Sequence, residues 1–523
     1  MTKWPPAPFD RALETMNVWD AWYTGDQDRL YTHYSSADAP GRAVETGTGW
    51  RGRVARFFVG TRPRQSGSKL HVPAPSDLAR TSADLLFSQP PRFTVGSDDA
   101  SSQKKAQERI DKLLGGPETA ATFLEAGELQ AALGGSYVRL WWDESISDKV
   151  ECAAMPADAA IPTWRYGRLA GVTFWTVVHR DEKAVYRHLE RHTPGRIEHG
   201  LYFGTEDALG TRISLRELPE TAWAADVGEH EGLLLTGVRG LTAAYAPNVL
   251  PNRAWRTTPG LAPLGRSDFD GLEPLFDALD SAYSSWMRDL ELGKARIFID
   301  ENMLANRGPG RGAFFDSEQE VFTKIKAIGK MADAGNIDAK QFGIRWQEHS
   351  QTCAEILNAI LRGAGYSASN FSDDGLTVTK TATEIESRDR LSERTRDKKI
   401  GYWRSALGPL SATMIQLDKA VFRTDFDLNE MPEVNFPIRP QMSQAALSGS
   451  LASLRSANLI SIEQGVRERN PNWPKDEIDA EVKRIREDMA AEVAMGYGQG
   501  GPEDEDNYEN PSGDTEYWAP GEE

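Results

Sequence analysis

Residues 346–366, WQEHSQTCAEILNAILRGAGY, lead through a short loop into residues 382–422, ATEIESRDRLSERTRDKKIGYWRSALGPLSATMIQLDKAVF, and this run decides the architecture. In the first stretch Trp346, Cys353, Ile356, Leu357, Ile360 and Leu361 recur at helical spacing, and Gly363 and Gly365 end the helix. Residues 366–381 follow as a loop containing Phe371-Ser372-Asp373-Asp374-Gly375. Thr383 with Glu386 then forms a capping box. The helix it opens would be about 60 Å long, at about 1.5 Å per residue. Its first half is dense in charge, with Glu384 and Arg388, and Glu386 and Arg390, as favourable i,i+4 pairs. Gly408-Pro409 predicts a kink, because proline lacks the amide and crowds the preceding turn. Only beyond it do Leu410, Met414, Leu417 and Val421 make an apolar face. A charged half with no evident partner in its own chain calls for water or a neighbouring subunit.

Upstream lies a second stripe. Ser267-Asp268-Phe269-Asp270 can cap a helix that carries Leu272, Leu275, Phe276, Leu279, Tyr283, Trp286, Met287 and Leu290 before stopping at Gly293. Between the two striped helices the spacing predicts short strands over 296–299, 312–315 and 321–328, with Asn306-Arg307-Gly308-Pro309-Gly310-Arg311-Gly312 as a loop. Residues 1–260 read as α+β. Short helices and loops fill 1–70, and helices are predicted over 76–87, 101–114 and 123–133, the last two closed by glycine pairs. Strands follow over 137–142 and 172–178. Val185, Arg187, Leu189 and Arg191 then turn through Thr193-Pro194-Gly195 into Ile197, His199, Leu201 and Phe203, a hairpin signal, and 233–245 is a candidate for another strand. Downstream, 425–440 reads as extended and 443–495 as helical, with a short helix opened by Ser461 and Gln464 three residues on.

The bulk composition limits the choices further. A chain of 523 residues exceeds one ordinary core, and its 15 Trp, 14 Tyr and 19 Phe supply ample apolar surface. Mean hydropathy of -0.52 and the lack of a long apolar run argue against a transmembrane helix. Met1-Thr2-Lys3-Trp4-Pro5-Pro6 has no apolar signal core, so secretion is not expected. Two distant cysteines, Cys152 and Cys353, exclude a disulfide framework and suit a reducing cytoplasm. Half of the net charge of -18 sits in residues 496–523, whose nine acidic residues stand without Lys or Arg and read as a disordered tail. So acidic a chain is a poor wrapper of nucleic acid, although it can line a passage that DNA slides through.

Reactive constellations are missing from the sequence. Ser66-Gly67-Ser68-Lys69 lacks the Gly-Lys-Ser/Thr end of a phosphate loop, and proline spoils Gly308-Pro309-Gly310-Arg311-Gly312 as an anion nest. His188 and His192 are four apart, but on a strand they would lie about 13 Å from one another, so no metal is expected there. No Ser/His/Asp or Cys/His grouping is discernible. Neither an enzyme nor a cofactor is expected.

Taken in order, several pieces resemble the portal proteins of long-tailed bacteriophages over roughly 75–495. They are Leu85-Leu86-Phe87-Ser88-Gln89-Pro90-Pro91, Ala132-Leu133-Gly134-Gly135-Ser136-Tyr137-Val138, Ile360-Leu361-Arg362-Gly363-Ala364-Gly365-Tyr366, Thr381-Ala382-Thr383-Glu384-Ile385, and Ser461-Ile462-Glu463 with Pro471-Asn472-Trp473-Pro474. The resemblance implies an α+β portal-type subunit. Its wing would be residues 1–266, its stem helices 267–293 and 346–362, and its β-containing clip 294–345. A tunnel loop would occupy 363–381, a long kinked helix and wing return 382–440, and a helical crown 441–495, with the acidic tail 496–523 a departure from the family. The resemblance further implies a ring, usually of twelve copies, at one capsid vertex of the virion, assembled in the host cytoplasm. Its partners would be the terminase large subunit, the major capsid and scaffolding proteins, the head-to-tail adaptors, and double-stranded DNA in the channel, with no membrane. Ser369, Asn370, Phe371, Ser372, Asp373, Asp374 and Lys380 would face that DNA, with Phe371, Asp373 and Asp374 at the constriction. Arg307, Arg311, Lys324 and Lys326 of the clip would dock motor and adaptors. The competing reading is a capsid-associated or head-completion protein that forms no channel.

Overall fold

The computed structural model describes residues 3–34, 69–96, 100–228, 230–292, 296–298, 305–306, 313–314, 338–340, 344–368, 382–424, 431–437, 444–457, 459–470, 473 and 475–496. The chain divides into two compact units, Met1–Phe436 and Pro437–Glu523.

The first unit mixes helices and sheets as the α+β reading expects. Helices α1 (Phe9–Thr24), α2 (Gln27–His33), α3 (Ala74–Phe87), α4 (Ala100–Leu114) and α5 (Pro117–Leu133) precede most of the strands. Strand β1 (Arg92–Thr94) lies between α3 and α4. Helix α5 starts a turn and a half before the predicted 123, because Pro117 is tolerated in a first turn, where its missing amide costs nothing. Strands β2 (Gly135–Trp141) and β3 (Glu151–Pro156) pair with a later strand, β10 (Ala243–Pro247), in a three-stranded antiparallel sheet ordered β10-β2-β3. Strands β4 (Ala160–Arg165), β5 (Arg168–Arg180), β6 (Val185–Thr193), β7 (Arg196–Thr205) and β8 (Ala208–Ile213) form a meander, and β9 (Leu233–Leu235) adds to β7. The segment over 233–245 is thus two short strands in different sheets.

The predicted hairpin is β6–β7, closed between Thr193 and Arg196 with Gly195 at φ 86°, a backbone that glycine adopts without penalty. Its burial does not follow a simple alternation. Arg187 is buried because its guanidinium donates to the carbonyls of Thr205 (2.8 Å) and Glu206 (3.0 Å).

The striped helices are α7 (Glu273–Leu292) and α8 (Trp346–Ala364); a short helix α6 (Pro219–Ala222) precedes them. They pack together in the larger core, where Phe276 and Leu279 of the first, with Leu272 just before it, join Cys353, Ile360 and Leu361 of the second, alongside Trp19, Trp22 and Tyr366. Between them, β11 (Arg296–Phe298) pairs antiparallel with β14 (Asp338–Lys340), and β12 (Ala305–Asn306) with β13 (Ala313–Phe314). The strand expected over 321–328 lies outside the described residues.

Helix α9 (Ala382–Phe422) runs without interruption through Pro409. It anchors a second core with Ile400, Trp403, Leu407, Leu410, Met414 and Leu417, against Phe87, Phe123 and Val138. Strand β15 (Glu433–Asn435) then returns to pair with β1. The expectation that the charged half lacks a partner in its own chain fails over 391–407. There Arg396 donates to the Leu85 carbonyl (2.7 Å), Lys399 is buried, and the Trp403 indole donates to Gln130 (2.9 Å). Charge density misled because these long side chains bury their stems and satisfy their heads internally.

In the second unit, α10 (Gln444–Ser456), α11 (Ile462–Arg469) and α12 (Lys475–Gly496) include a small core of Val466, Ile478 and Val482. The Ser461 hydroxyl caps α11 by accepting from the Gln464 amide at 3.1 Å, as the spacing predicts.

Candidate functional site

Every residue expected to face DNA (Ser369, Asn370, Phe371, Ser372, Asp373, Asp374, Lys380) and every residue expected to dock partners (Arg307, Arg311, Lys324, Lys326) lies outside the described residues. What the structure describes is the frame that carries both groups.

The loop departs from a fixed base. At the end of α8, Gly365 takes φ 89° and its amide donates to the carbonyls of Leu361 (3.0 Å) and Arg362 (3.2 Å), while the Tyr366 amide reaches Leu361 at 2.8 Å. This left-handed cap turns the chain sharply, and a Cβ on Gly365 would stand 2.8 Å from Thr395 Oγ1. Tyr366 is thereby aimed inward, and its hydroxyl donates to Asp268 Oδ2 at 2.8 Å. The Lys399 ammonium, on α9, places its three donors on Asp268 Oδ2 (2.7 Å), the Tyr366 hydroxyl (2.8 Å) and the Ser82 hydroxyl (2.8 Å). The other Asp268 oxygen accepts from Asn248 at 2.7 Å. The lysine and aspartate side chains are only 2% and 1% exposed, so this is an ion pair deep in the protein.

Burial presses the Lys399 pKa down, against the opposing pull of Asp268, and presses the Tyr366 phenol well above its ordinary value. A buried pair of this kind stands only when every donor and acceptor is matched, as here. Two further bonds sew α8 to α9: the Ser367 amide donates to the Ser392 hydroxyl (2.8 Å), and the Thr395 hydroxyl to the Gly365 carbonyl (2.7 Å). The start of the loop and the helix beyond it are therefore held as one piece.

The frame next to the residues expected to dock partners is built differently. Near the far end of the α7–α8 pair, Asp289 accepts from Arg345 Nη2 (2.9 Å) and His349 Nε2 (2.9 Å). The Trp286 and His349 rings stack at 6.2 Å and 6°. These two hydrogen bonds, from His349 first and then Arg345, hold the Asp289 carboxyl below its ordinary range. Among the described residues the apolar stripe is only partly covered, for Met287, Leu290 and Trp346 are 37%, 39% and 58% exposed.

One cluster has no forerunner in the sequence reading. On the six-stranded sheet His192 bridges Thr242 (2.7 Å) and Glu190 (2.8 Å), and Glu190 also pairs with Arg139. His188 meets His199 across the β6–β7 register, nitrogen to nitrogen at 3.2 Å, and not His192. Burial lowers His188 and takes His199 down to about 4. Among the described residues no group of three or more His, Cys, Asp or Glu is placed to hold a metal ion. The one signal in the sequence was the two-residue spacing of Glu190 and His192, which puts both on one face of a strand.

Residues 250–492 match the family model described as phage portal protein, SPP1 Gp6-like. That span opens 23 residues before α7 and takes in α7, α8, α9 and nearly all of α12. No curated protein matches the chain. Among solved structures, a chain in the "Virion of native gene transfer agent (GTA) particle" is similar at 14% identity and a TM-score of 0.41, over 80% of this chain and 98% of that one. A chain in the "Neck of empty GTA particle computed with C6 symmetry" is similar at 13% identity and 0.40, over 82% and 93%. One in the "Neck of native GTA particle computed with C12 symmetry" is similar at 12% identity and 0.38, over 83% and 94%. At TM-scores below one half, these likenesses carry no weight for the role of this chain.

Proposed function

We propose, from the match of residues 250–492 to the phage portal protein family model, that the protein is one subunit of a twelve-membered ring at a capsid vertex. Through this ring DNA would enter and leave. The observation that carries the proposal is the family match, which spans both striped helices, the loop between α8 and α9, and α9 itself. The physics is consistent with it. A closed ring needs head-to-tail contacts between unlike surfaces, and the exposed Met287, Leu290 and Trp346 offer one such surface. The base at Asp268, Tyr366 and Lys399 fixes where the loop over 363–381 leaves the protein, as a loop that must meet DNA repeatedly at one radius requires. Phe371, Asp373 and Asp374 at its constriction would hold DNA weakly, because strong phosphate contacts stall a moving duplex.

In the same reading residues 294–345 are the clip, where Arg307, Arg311, Lys324 and Lys326 dock the terminase large subunit and later the head-to-tail adaptors. Residues 1–266 with 382–440 form the wing, and 441–495 the crown. Major capsid and scaffolding proteins complete the vertex, and the role is structural and not enzymatic. Negative-stain microscopy of the purified protein tests this: rings with a central channel are expected. A protein that stays monomeric, or assembles without a channel, would favour the head-completion reading, and ATP hydrolysis by the isolated chain would overturn both.

A further inference from the structure

The β4–β5 hairpin ends in Arg165-Tyr166-Gly167-Arg168, and this tip breaks three local rules at once. Tyr166 and Gly167 both have positive φ, 50° and 76°, the geometry of a two-residue turn that favours Asn-Gly. A tyrosine there is strained by its Cβ and gains nothing from burial, since it is fully exposed. Arg165 and Arg168 face one another directly across the strand pair, an arrangement that like charges disfavour. Both are exposed, and neither has an ion-pair partner among the described residues.

The tip is nevertheless rigidly rooted. One residue below it, Trp164 packs edge-on to Tyr245 at 5.4 Å, and the opposite Leu169 packs on the same core. A chain with a net charge of -18 thus presents, on a firm stalk, two unneutralised guanidinium groups flanking an aromatic ring. Local rules broken together without an internal gain mark a place shaped for something outside the subunit.

We propose that this hairpin tip is a contact for the sugar-phosphate backbone of duplex DNA, separate from the loop over 363–381. The guanidinium groups would take two phosphates and the ring would lie against the sugars between them. The choice of duplex DNA as the polyanion rests on the portal reading; an acidic protein segment is the competing occupant.

The test uses the full-length protein, a short labelled duplex and, separately, polyglutamate, with binding followed by anisotropy across a salt series. R165S/R168S is expected to weaken duplex binding on the order of tenfold at low salt, and to reduce the log–log salt slope by about 1.8 per engaged tip, at about 0.9 for each phosphate. Y166N should raise thermal stability, since Asn suits the turn, while weakening duplex binding severalfold, which separates binding from folding. Unchanged affinity and slope in R165S/R168S would overturn the proposal, and so would tighter binding of polyglutamate than of the duplex. Ring formation, scored by microscopy on the same samples, separates the two readings. Tip-dependent DNA binding by a chain that forms no ring would sink the portal reading alone, and tip-independent binding by a ring would sink only this one.

Discussion

The two ends of the α7–α8 pair use the same kind of residue for opposite purposes. At the inner end an aspartate, Asp268, is sealed among Lys399, Tyr366, Ser82 and Asn248, with almost nothing exposed. Near the outer end another aspartate, Asp289, holds Arg345 and His349, beside apolar side chains that the described residues cover only in part. The inner end is finished within one subunit. The outer end, among the described residues, is not. Burial makes the difference: a charge in the interior must be matched completely when the chain folds, whereas a charge at the surface can wait for its partner in water.

The largest effect should come from the inner end. Lys399→Met keeps the volume and the helix propensity but leaves Asp268 buried without its counter-charge. That should cost about 3–5 kcal/mol, read as a large fall in the main thermal transition and in the protection of residues 366–368 from hydrogen exchange. Adding Asp268→Leu should recover part of the loss, because an apolar pair of similar bulk removes the unmatched charge. A loss below about 1 kcal/mol in the single variant would mean that the pair is solvated and that the loop base is no anchor.

Helices were legible in the sequence wherever apolar spacing carried them. Phe276 and Leu279 on one helix and Ile360 and Leu361 on the other place the α7–α8 pair, and Gly363 and Gly365 mark where the loop begins. The base of that loop was not legible. Lys399 stands in a run of charges whose i,i+4 spacing suits a solvated face, and its partners Ser82, Asp268 and Tyr366 come from three distant parts of the chain. No local pattern distinguishes a lysine that faces water from one that meets three matched acceptors. The same limit hid the pairing of His188 with His199, which exists only through the strand register. Of the candidate site, then, the sequence supplied the loop's position and its DNA-facing residues as an expectation, and the structure supplied the frame.

Acidification should separate the two ends by a smaller effect. Asp289 has its carboxyl held below the ordinary value of 3.8 by His349 and Arg345. A depressed carboxylate stabilises the fold above its unfolded value and loses that contribution as pH falls through the folded one. Exchange protection of the outer turns, 285–292 and 345–352, corrected for intrinsic rates, should therefore hold down to about pH 4 and fall below it, and Asp289→Asn should reproduce part of the loss at neutral pH. Protection that falls already between pH 7 and 5 would mean that Asp289 is not what holds these turns.

The smallest effect on the isolated subunit, and the most informative for assembly, belongs to the exposed stripe. Trp346→Ser with Leu290→Ser removes apolar surface that is 58% and 39% exposed in the subunit, so its stability should change by no more than about 1 kcal/mol for each site. If the outer end is shaped for a neighbouring copy, the same pair of substitutions should abolish or sharply reduce the ring seen by microscopy and native mass analysis, because the apolar area it deletes is area the interface would bury. A destabilised subunit would show instead that the stripe is covered within its own chain. Intact rings from a stable double variant would move the subunit contact elsewhere, and the contrast between a finished inner end and an open outer end would lose its functional meaning.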